Sequence, residues 1–312
     1  MVSFWSYLVS KFKGNALAAG ITLAELKEKW ASEHYTRITH NASLAYEFAW
    51  NKIPQEMKEK AFLDLKWIDW QTVITTMRTN GLAFYSQKRI KNLCGQLYRY
   101  AIRNELCEKN YAPLLEMSKN VPVREKVIYT DDEIRYLLDH QNDNDNIKMI
   151  LLLIFTGVRI SELLRIKPAE DVFMDEKYFI VRKSKTVAGT NRPIPIHREI
   201  IPIFNYFISK GHHYLITRSD GQPMDYKGFR YRYMRTMKAL GMKHTIHECR
   251  HTFASILDDV GANDMCIRRM IGHVGVGVTK KVYTHKSLAQ LHEAMHLLEE
   301  KFKITKETEE IN

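Results

Sequence analysis

The segment HTIHECRHTFASILDDVGANDMCIRRMIGHVGVGVTKKVYTH, residues 244–285, concentrates the chemistry of this chain. After His247, apolar residues recur on one helical face, and Gly261 stands where a left-handed C-cap would end the helix. His247 and Arg250 therefore lie near the N-terminus of a predicted helix. Unpaired N–H groups and the helix dipole favour an anion at that end.

A second short helix is predicted downstream, with Asn263 as its N-cap and Gly272 at its end. This places His273 just past a helix C-terminus. Tyr283 follows in a segment too short to bury a phenol by itself. Ionising a tyrosine of pKa about 10 at pH 7 costs roughly 4 kcal/mol, so a nucleophilic tyrosine needs a neighbour that accepts its proton.

Two histidines, an arginine and a tyrosine converging on one pocket indicate an enzyme that handles a phosphate. Taken singly, each residue also fits a structural role: Tyr283 in the core, His273 at a helix end and Arg250 as a surface cation. Their joint spacing favours the catalytic interpretation.

Six short motifs, which follow one another between residues 156 and 285, resemble those of the tyrosine recombinases, the phage and transposon integrases. They are TGVRISEL at 156–163, SKT at 184–186, RPIPI at 192–196, HECRHTFAS at 247–255, IGH at 271–273 and VYTH at 282–285. The similarity of style extends over most of residues 22–300. A chance match to one motif is easy, whereas a match to all six in order is not.

The resemblance implies how these residues would hold a scissile phosphate. Breaking a phosphodiester through a pentacoordinate transition state places negative charge on the non-bridging oxygens, and arginine forks donate to them best. Arg159 and Arg250 are the candidates for this role, with His273 adding a further hydrogen bond. Glu162 either buttresses an arginine or caps its own helix, and the sequence leaves both open.

The resemblance also implies the proton transfers. Tyr283 would attack the phosphorus and form a 3′-phosphotyrosyl link, while His247 accepts the phenol proton and later returns it. Lys185, near the tip of a predicted hairpin, would protonate the leaving 5′ oxygen, with Lys183 as its rival on position alone. No metal or nucleotide cofactor is expected, since the chain has no phosphate-cradling glycine loop and no carboxylate cluster. We assign structural roles to His251 and His285.

Composition favours an acidic partner for this chain. The net charge of +11 and pI of about 9.3 point to nucleic acid first and an anionic membrane second, although charge can also serve solubility alone. The four cysteines form no C-x-x-C pair, which fits reduced thiols in a cytoplasm and implies no zinc site. The apolar run at residues 4–9 is too short to span a bilayer or to act as a signal peptide.

The predicted fold is mostly α-helical with a small β-hairpin, arranged as two domains in a C-shaped clamp around duplex DNA. We assign residues 1–21 to an N-terminal segment of unclear function, 22–115 to an α-helical core-binding domain, 116–129 to a linker, 130–286 to the catalytic domain and 287–312 to a C-terminal helix and tail. The arm-binding domain that many integrases carry at the N-terminus is expected to be absent or truncated.

The first domain offers one predicted DNA-binding helix. In residues 86–104 the basic side chains fall on one face and the apolar ones opposite, and the first acidic residue after Lys88 is Glu105. A solvated face usually mixes charges, so we favour contacts to phosphates over a purely solvated surface. The candidate DNA contacts on this helix are Lys88, Lys91, Arg99 and Arg103.

The second domain is expected to begin with a capping box at Thr130 and Glu133, followed by a buried helix over 147–155 and a hairpin formed by 178–182 and 192–196. A helix over 225–240 is the second candidate for a DNA groove, through Arg232, Arg235 and Lys238. The helix that begins after Ser287 carries an apolar stripe. That stripe packs either on its own domain or on a neighbouring copy, and we favour the neighbour.

The sequence therefore predicts a site-specific DNA recombinase of the integrase kind, acting on double-stranded DNA as a homo-tetramer in the cytoplasm and nucleoid of a bacterial host. Accessory DNA-bending or directionality proteins are possible partners, and no membrane is expected. The alternatives are a type IB topoisomerase-like relaxer with the same site and a non-catalytic DNA-binding protein.

Overall fold

The computed structural model describes residues 20–120, 127–184, 186–273 and 287–303. The chain divides into two compact units, Met1–Glu125 and Lys126–Asn312, and the boundary falls inside the predicted linker. Lys185, Tyr283 and His285 lie outside the described residues. In the described part of the chain, no helix is long and apolar enough to cross a membrane.

The first unit is built of helices. Its helices are α1 (Leu23–His34), α2 (His40–Trp50), α3 (Gln55–Glu59), α4 (Trp67–Thr79) and α5 (Phe84–Arg103). Thr22 and Glu25 form the predicted capping box at the start of α1. The apolar face of α5, with Ile90, Leu93 and Leu97 fully buried, lies in the core of this unit and leaves the basic face outward.

The second unit combines helices with one small sheet. Its helices are α6 (Asp131–Asp139), α7 (Asp145–Thr156), α8 (Ile160–Leu163), α9 (Pro168–Asp171), α10 (Ile201–Ser209), α11 (Tyr226–Ala239), α12 (Ile246–Asp259), α13 (Asp264–Ile271) and α14 (Leu288–Lys301), and its strands are β1 (Val172–Phe173), β2 (Tyr178–Val181) and β3 (Arg192–Pro195). The mostly α-helical fold with a small sheet is confirmed. Every residue of 147–156 is buried, as the continuous apolar run in α7 predicts.

The sheet contains the predicted hairpin and one strand that we did not predict. Strands β2 and β3 pair antiparallel, with Phe179 opposite Ile194. Strand β1 adds to the other edge of β2, with Phe173 opposite Tyr178, and the two rings stack with centroids 4.8 Å apart. Two residues are too few to show an alternating pattern, so β1 left no signal in the sequence.

The apolar stripe of α14 packs on its own unit here, and the expected contact of this helix with a neighbouring copy stays a prediction. Leu291, Met295 and Leu298 are at most 2% exposed and belong to the core of the second unit. Arg198 fixes the last turn, because its main-chain N–H donates to Glu299 Oε1 at 2.8 Å and its Nη2 donates to the Glu299 carbonyl at 3.0 Å. The stripe therefore has an apolar partner surface within its own unit.

Candidate active site

The turn that carries Arg159 is fixed by a glycine. Helix α7 ends at Gly157, which adopts a left-handed conformation with φ of 60°. A Cβ atom at this position would collide with the ring of Phe253 in α12. Only glycine therefore allows the end of α7 to lie against α12, and Arg159 follows as the N-cap of α8.

Arg159 is held by one carboxylate and one hydroxyl. Its Nη1 donates to Glu162 Oε1 at 2.8 Å and to Ser184 Oγ at 3.2 Å, and the side chain keeps 22% of its surface exposed. Glu162 Oε2 also accepts from the Arg159 main-chain N–H at 2.8 Å. Glu162 thus does both things that the sequence left open: it caps its own helix and buttresses the arginine.

Arg250 lies in the second turn of α12 and ties two loops together. It is only 4% exposed. Its Nη1 donates to the Gly157 carbonyl at 2.7 Å and its Nη2 donates to the Ile271 carbonyl. One guanidinium therefore contacts both the turn before Arg159 and the end of α13 before His273.

Arg192, at the start of β3, is a third guanidinium that we did not assign to the site. It is 2% exposed and its Nη2 donates to Glu162 Oε2 at 2.7 Å. A signal for it was available, because Arg192 is spaced two residues apart from Ile194 and then Ile196, so that all three share one face of an extended chain, and all three are buried. From this spacing, the sequence could have predicted that the Arg192 side chain points toward the core.

These side chains leave the site with excess positive charge. Among the described residues, the three guanidiniums of Arg159, Arg192 and Arg250 face one buried carboxylate, Glu162, so three positive charges and one negative leave a net charge of two positive. Burial and the charges of Arg159 and Arg192 lower the pKa of Arg250. Burial raises the pKa of Glu162, but the hydrogen bond and charge of Arg192 outweigh it and hold that pKa at about 2. Such a cluster is suited to an anion.

His273 follows the left-handed Gly272 that ends α13, as the sequence predicts, and its main-chain N–H donates to the Arg268 carbonyl at 3.0 Å. Burial lowers the pKa of the His273 imidazole, and the charges of Arg250, Arg159, Arg268 and His247 lower it further. Candidate residues from three separate segments thus lie within electrostatic reach of one another.

His247 lies in the first turn of α12, where it is exposed. Its ring meets that of His251 edge to face, with centroids 4.8 Å apart. The roles of Lys185 and Tyr283 stay predictions, because both residues lie outside the described part of the chain. Beside Lys185, the Thr186 hydroxyl donates to the Gly272 carbonyl at 3.3 Å, which brings the hairpin loop to the end of α13. Among the described residues, no group of His, Cys, Asp or Glu could hold a metal ion.

The predicted DNA-contact residues differ in their exposure and in whether their charged groups already have partners within the protein. On α5, Lys88, Arg99 and Arg103 are exposed, although Arg103 lies 3.4 Å from a Glu33 carboxylate. Lys91 is partly buried and its Nζ donates to the carbonyls of Leu115 at 2.7 Å and Pro113 at 3.2 Å.

On α11, Arg235 and Lys238 are exposed and Arg232 is partly buried. The outward face of α11 carries further cations at Lys227 and Arg230, which the sequence analysis did not select. The signal for Lys227 was its position away from the buried Phe229, Tyr233 and Met237, whereas Arg230 flanks that buried stripe and had no such signal.

Known proteins share sequence with this chain. The model of the phage integrase family matches residues 128–290, just over half of the chain. The tyrosine recombinase XerA of Pyrococcus horikoshii is 30% identical over 180 residues, which cover 53% of this chain but only 59% of that relative. The tyrosine recombinase XerD of Staphylococcus haemolyticus is 23% identical over 280 residues, 82% of this chain and 91% of the relative.

Solved structures share the fold. A Tn1549 transposon integrase in complex with a circular intermediate DNA superimposes with a TM-score of 0.72 at 22% identity, covering 89% of this chain and 99% of that one. A lambda integrase tetramer bound to a Holliday junction gives a TM-score of 0.69 at 18% identity, with 84% and 80% covered. The family match over more than half of its length shows that this chain belongs to the phage integrase family.

Proposed function

We propose that this chain is a site-specific tyrosine recombinase that cuts and rejoins DNA strands through a 3′-phosphotyrosyl intermediate on Tyr283. One observation carries the proposal most: segments far apart in sequence bring Arg159, Arg250 and His273 into one site, where the described residues leave a net charge of two positive. A phosphodiester approaching its transition state supplies the missing negative charge.

The arginines stabilise the phosphoryl oxygens. Arg159, whose side chain is 22% exposed, donates to one non-bridging oxygen while Glu162 fixes its orientation. Arg250 keeps two of its donors on main-chain carbonyls, so its remaining N–H groups are held in place for the phosphate. His273 has a lowered pKa and donates from a neutral ring, which becomes easier to protonate as negative charge develops.

The covalent step exchanges one phosphoester for another. The Tyr283 oxygen forms a bond to phosphorus as the bond to the 5′ oxygen breaks. His247 accepts the phenol proton, and Lys185 gives a proton to the leaving oxygen. The 5′ hydroxyl of another strand then reverses the step, so no outside energy source is needed.

DNA would be gripped by both units. The exposed cations of α5 in the first unit and of α11 in the second unit contact phosphates on the duplex. We place this activity on host DNA in the bacterial cytoplasm and nucleoid. Accessory DNA-bending or directionality proteins would select the direction of recombination.

Strand exchange between two sites requires several copies, and we propose a homo-tetramer on DNA. The lambda integrase noted above is a tetramer on a Holliday junction, which supports this number. Since the apolar stripe of α14 is buried, a contact through this helix would use its other side, where Leu297 is 42% exposed. Light scattering of the protein on a synthetic four-way junction measures the stoichiometry, and a single bound copy would contradict the tetramer.

The function is tested in two stages. Protein trapped on cellular DNA by denaturation is recovered and the attached DNA ends are sequenced to define a site. A duplex of that site, nicked so that the short 5′-hydroxyl strand diffuses away, should then yield a covalent adduct. Plasmids carrying two sites should exchange strands. Relaxation without exchange would indicate a topoisomerase-like enzyme, and binding without any adduct would indicate a non-catalytic DNA-binding protein.

A further inference from the structure

The guanidinium of Arg192 donates hydrogen bonds to three separate segments of the second unit. Its Nε donates to the Met270 carbonyl at 2.8 Å, its Nη1 donates to the Gly189 carbonyl, and its Nη2 donates to Glu162 Oε2 at 2.7 Å. We infer that Arg192 is a positioning residue for the proposed cleavage reaction: it locks the hairpin loop and the end of α13 onto the Arg159–Glu162 pair. The inference rests on the proposed function.

Each segment that Arg192 holds lies next to a residue proposed to act on the phosphate. Glu162 orients Arg159 through a 2.8 Å bond. Met270 is three residues before His273, at the end of α13. Gly189 lies in the loop between β2 and β3, the loop that contains Lys185. A shift of Arg192 would therefore move several candidate groups together.

The hairpin loop and the end of α13 approach each other so closely that each has a glycine at the contact. A Cβ atom on Gly272 would lie 2.9 Å from Gly189 Cα and 3.2 Å from Arg192 Cζ. A Cβ atom on Gly189 would collide with the Ser184 side chain, which itself donates to Glu162 Oε1 at 2.7 Å. The hairpin loop and the end of α13 thus meet directly over the Arg192 guanidinium.

Arginine is needed for this arrangement because of its shape. Its planar fork presents donors in several fixed directions, whereas a lysine ammonium is a single point at the end of a flexible chain. Arg192→Lys keeps the positive charge next to Glu162 but cannot serve three segments at once. A charge-only role predicts that lysine suffices, and a positioning role predicts that it does not.

The test compares Arg192→Lys with a matched control, Arg198→Lys. Arg198 also donates to a main-chain carbonyl of the second unit, at Glu299, and it belongs to none of the proposed catalytic machinery. Single-turnover cleavage of the nicked duplex is measured at saturating protein and well below the melting midpoint of each variant. We expect Arg192→Lys to lose about 100-fold in cleavage rate with little change in DNA affinity. Arg198→Lys should cleave like the wild type.

A double-mutant comparison separates positioning from general loosening. If Arg192 acts through Glu162, adding Glu162→Gln to Arg192→Lys should slow cleavage little more than the slower single variant does. Multiplicative losses, or an Arg192→Lys rate equal to the wild type, would overturn the inference. Should Arg192→Lys not fold, the Glu162→Gln/Arg192→Gln pair removes both buried charges together and carries the same rate prediction. Failure of the wild type to form any adduct would instead refute the proposed function.

Discussion

Arg250 Nη1 donates to the carbonyl oxygen of Gly157 at 2.7 Å, across 93 residues of sequence. The bond sets Arg250 beside the turn that presents Arg159, and the second bond of Arg250, to Ile271, brings in the end of the helix before His273. One buried side chain therefore both helps to assemble the site and supplies a donor to it.

This dual role predicts that substituting either candidate arginine slows cleavage to a similar extent, whereas only substitution of Arg250 also destabilises the fold. Arg159→Lys and Arg250→Lys should each slow cleavage by about 100-fold to 1,000-fold, because each removes a preorganised fork from the phosphate. Only Arg250→Lys should also lower the melting temperature clearly, since Arg250 is 4% exposed and loses bonds to two carbonyls. Single-turnover cleavage and thermal unfolding of both variants provide the comparison. Equal melting temperatures would show that the Arg250 bonds do not hold the fold.

The Glu162 carboxylate should contribute an acid-sensitive part of the stability. Its pKa is depressed from 4.5 to about 2 in the folded chain. The stabilisation is therefore complete above pH 4.5 and is lost as the pH falls from 4.5 through 2, by roughly 3 kcal/mol in total. Urea unfolding of wild type and Glu162→Gln across this range should show their difference in unfolding free energy shrinking toward acid. A difference that stays constant with pH would mean that Glu162 is not held ionised by Arg192.

DNA binding should raise the pKa of His273. In the free protein burial and the charges of Arg250 and Arg159 lower that pKa, and a bound phosphodiester adds a negative charge that opposes them. NMR titration of labelled histidines in Tyr283→Phe, with and without a duplex of the site, measures the change. A His273 pKa that stays fixed on binding would remove it from contact with the phosphate.

Two lysines one turn apart on α5 should respond differently to neutralisation. Lys88 is exposed, so Lys88→Gln should weaken DNA binding and reduce the slope of log affinity against log salt by about 1. Lys91 donates to the Leu115 and Pro113 carbonyls, so Lys91→Gln should mainly lower the stability of the first unit. Fluorescence anisotropy at several salt concentrations and thermal unfolding distinguish the two. Identical salt slopes for Lys88→Gln and wild type would remove Lys88 from the DNA interface.

The sequence predicts those features that depend on neighbouring residues. Thr130 and Glu133 form the expected capping box, Gly272 ends its helix in the left-handed conformation, and both arms of the hairpin form. Each of these signals lies within a few positions of the structure that it specifies.

Features set by distant contacts were harder to predict. The packing partner of α14 could not be predicted from its apolar stripe. Such a stripe indicates that the face is buried, but it does not indicate which surface covers it. The sequence also suggested Glu162 as a buttress without showing that Arg192, 30 residues away, completes its pairing. That pairing depends on how β3 packs against α8 and α13, which no local pattern encodes.

The central claim is that Tyr283 forms the covalent link to DNA. The most direct measurement is mass spectrometry of the peptide that remains attached to a nicked duplex after denaturation and proteolysis. We predict that the nucleotide adduct lies on Tyr283 in the wild type, and that Tyr283→Phe binds the same duplex without forming any adduct. An adduct on a different residue, or a covalent complex formed by Tyr283→Phe, would contradict the account.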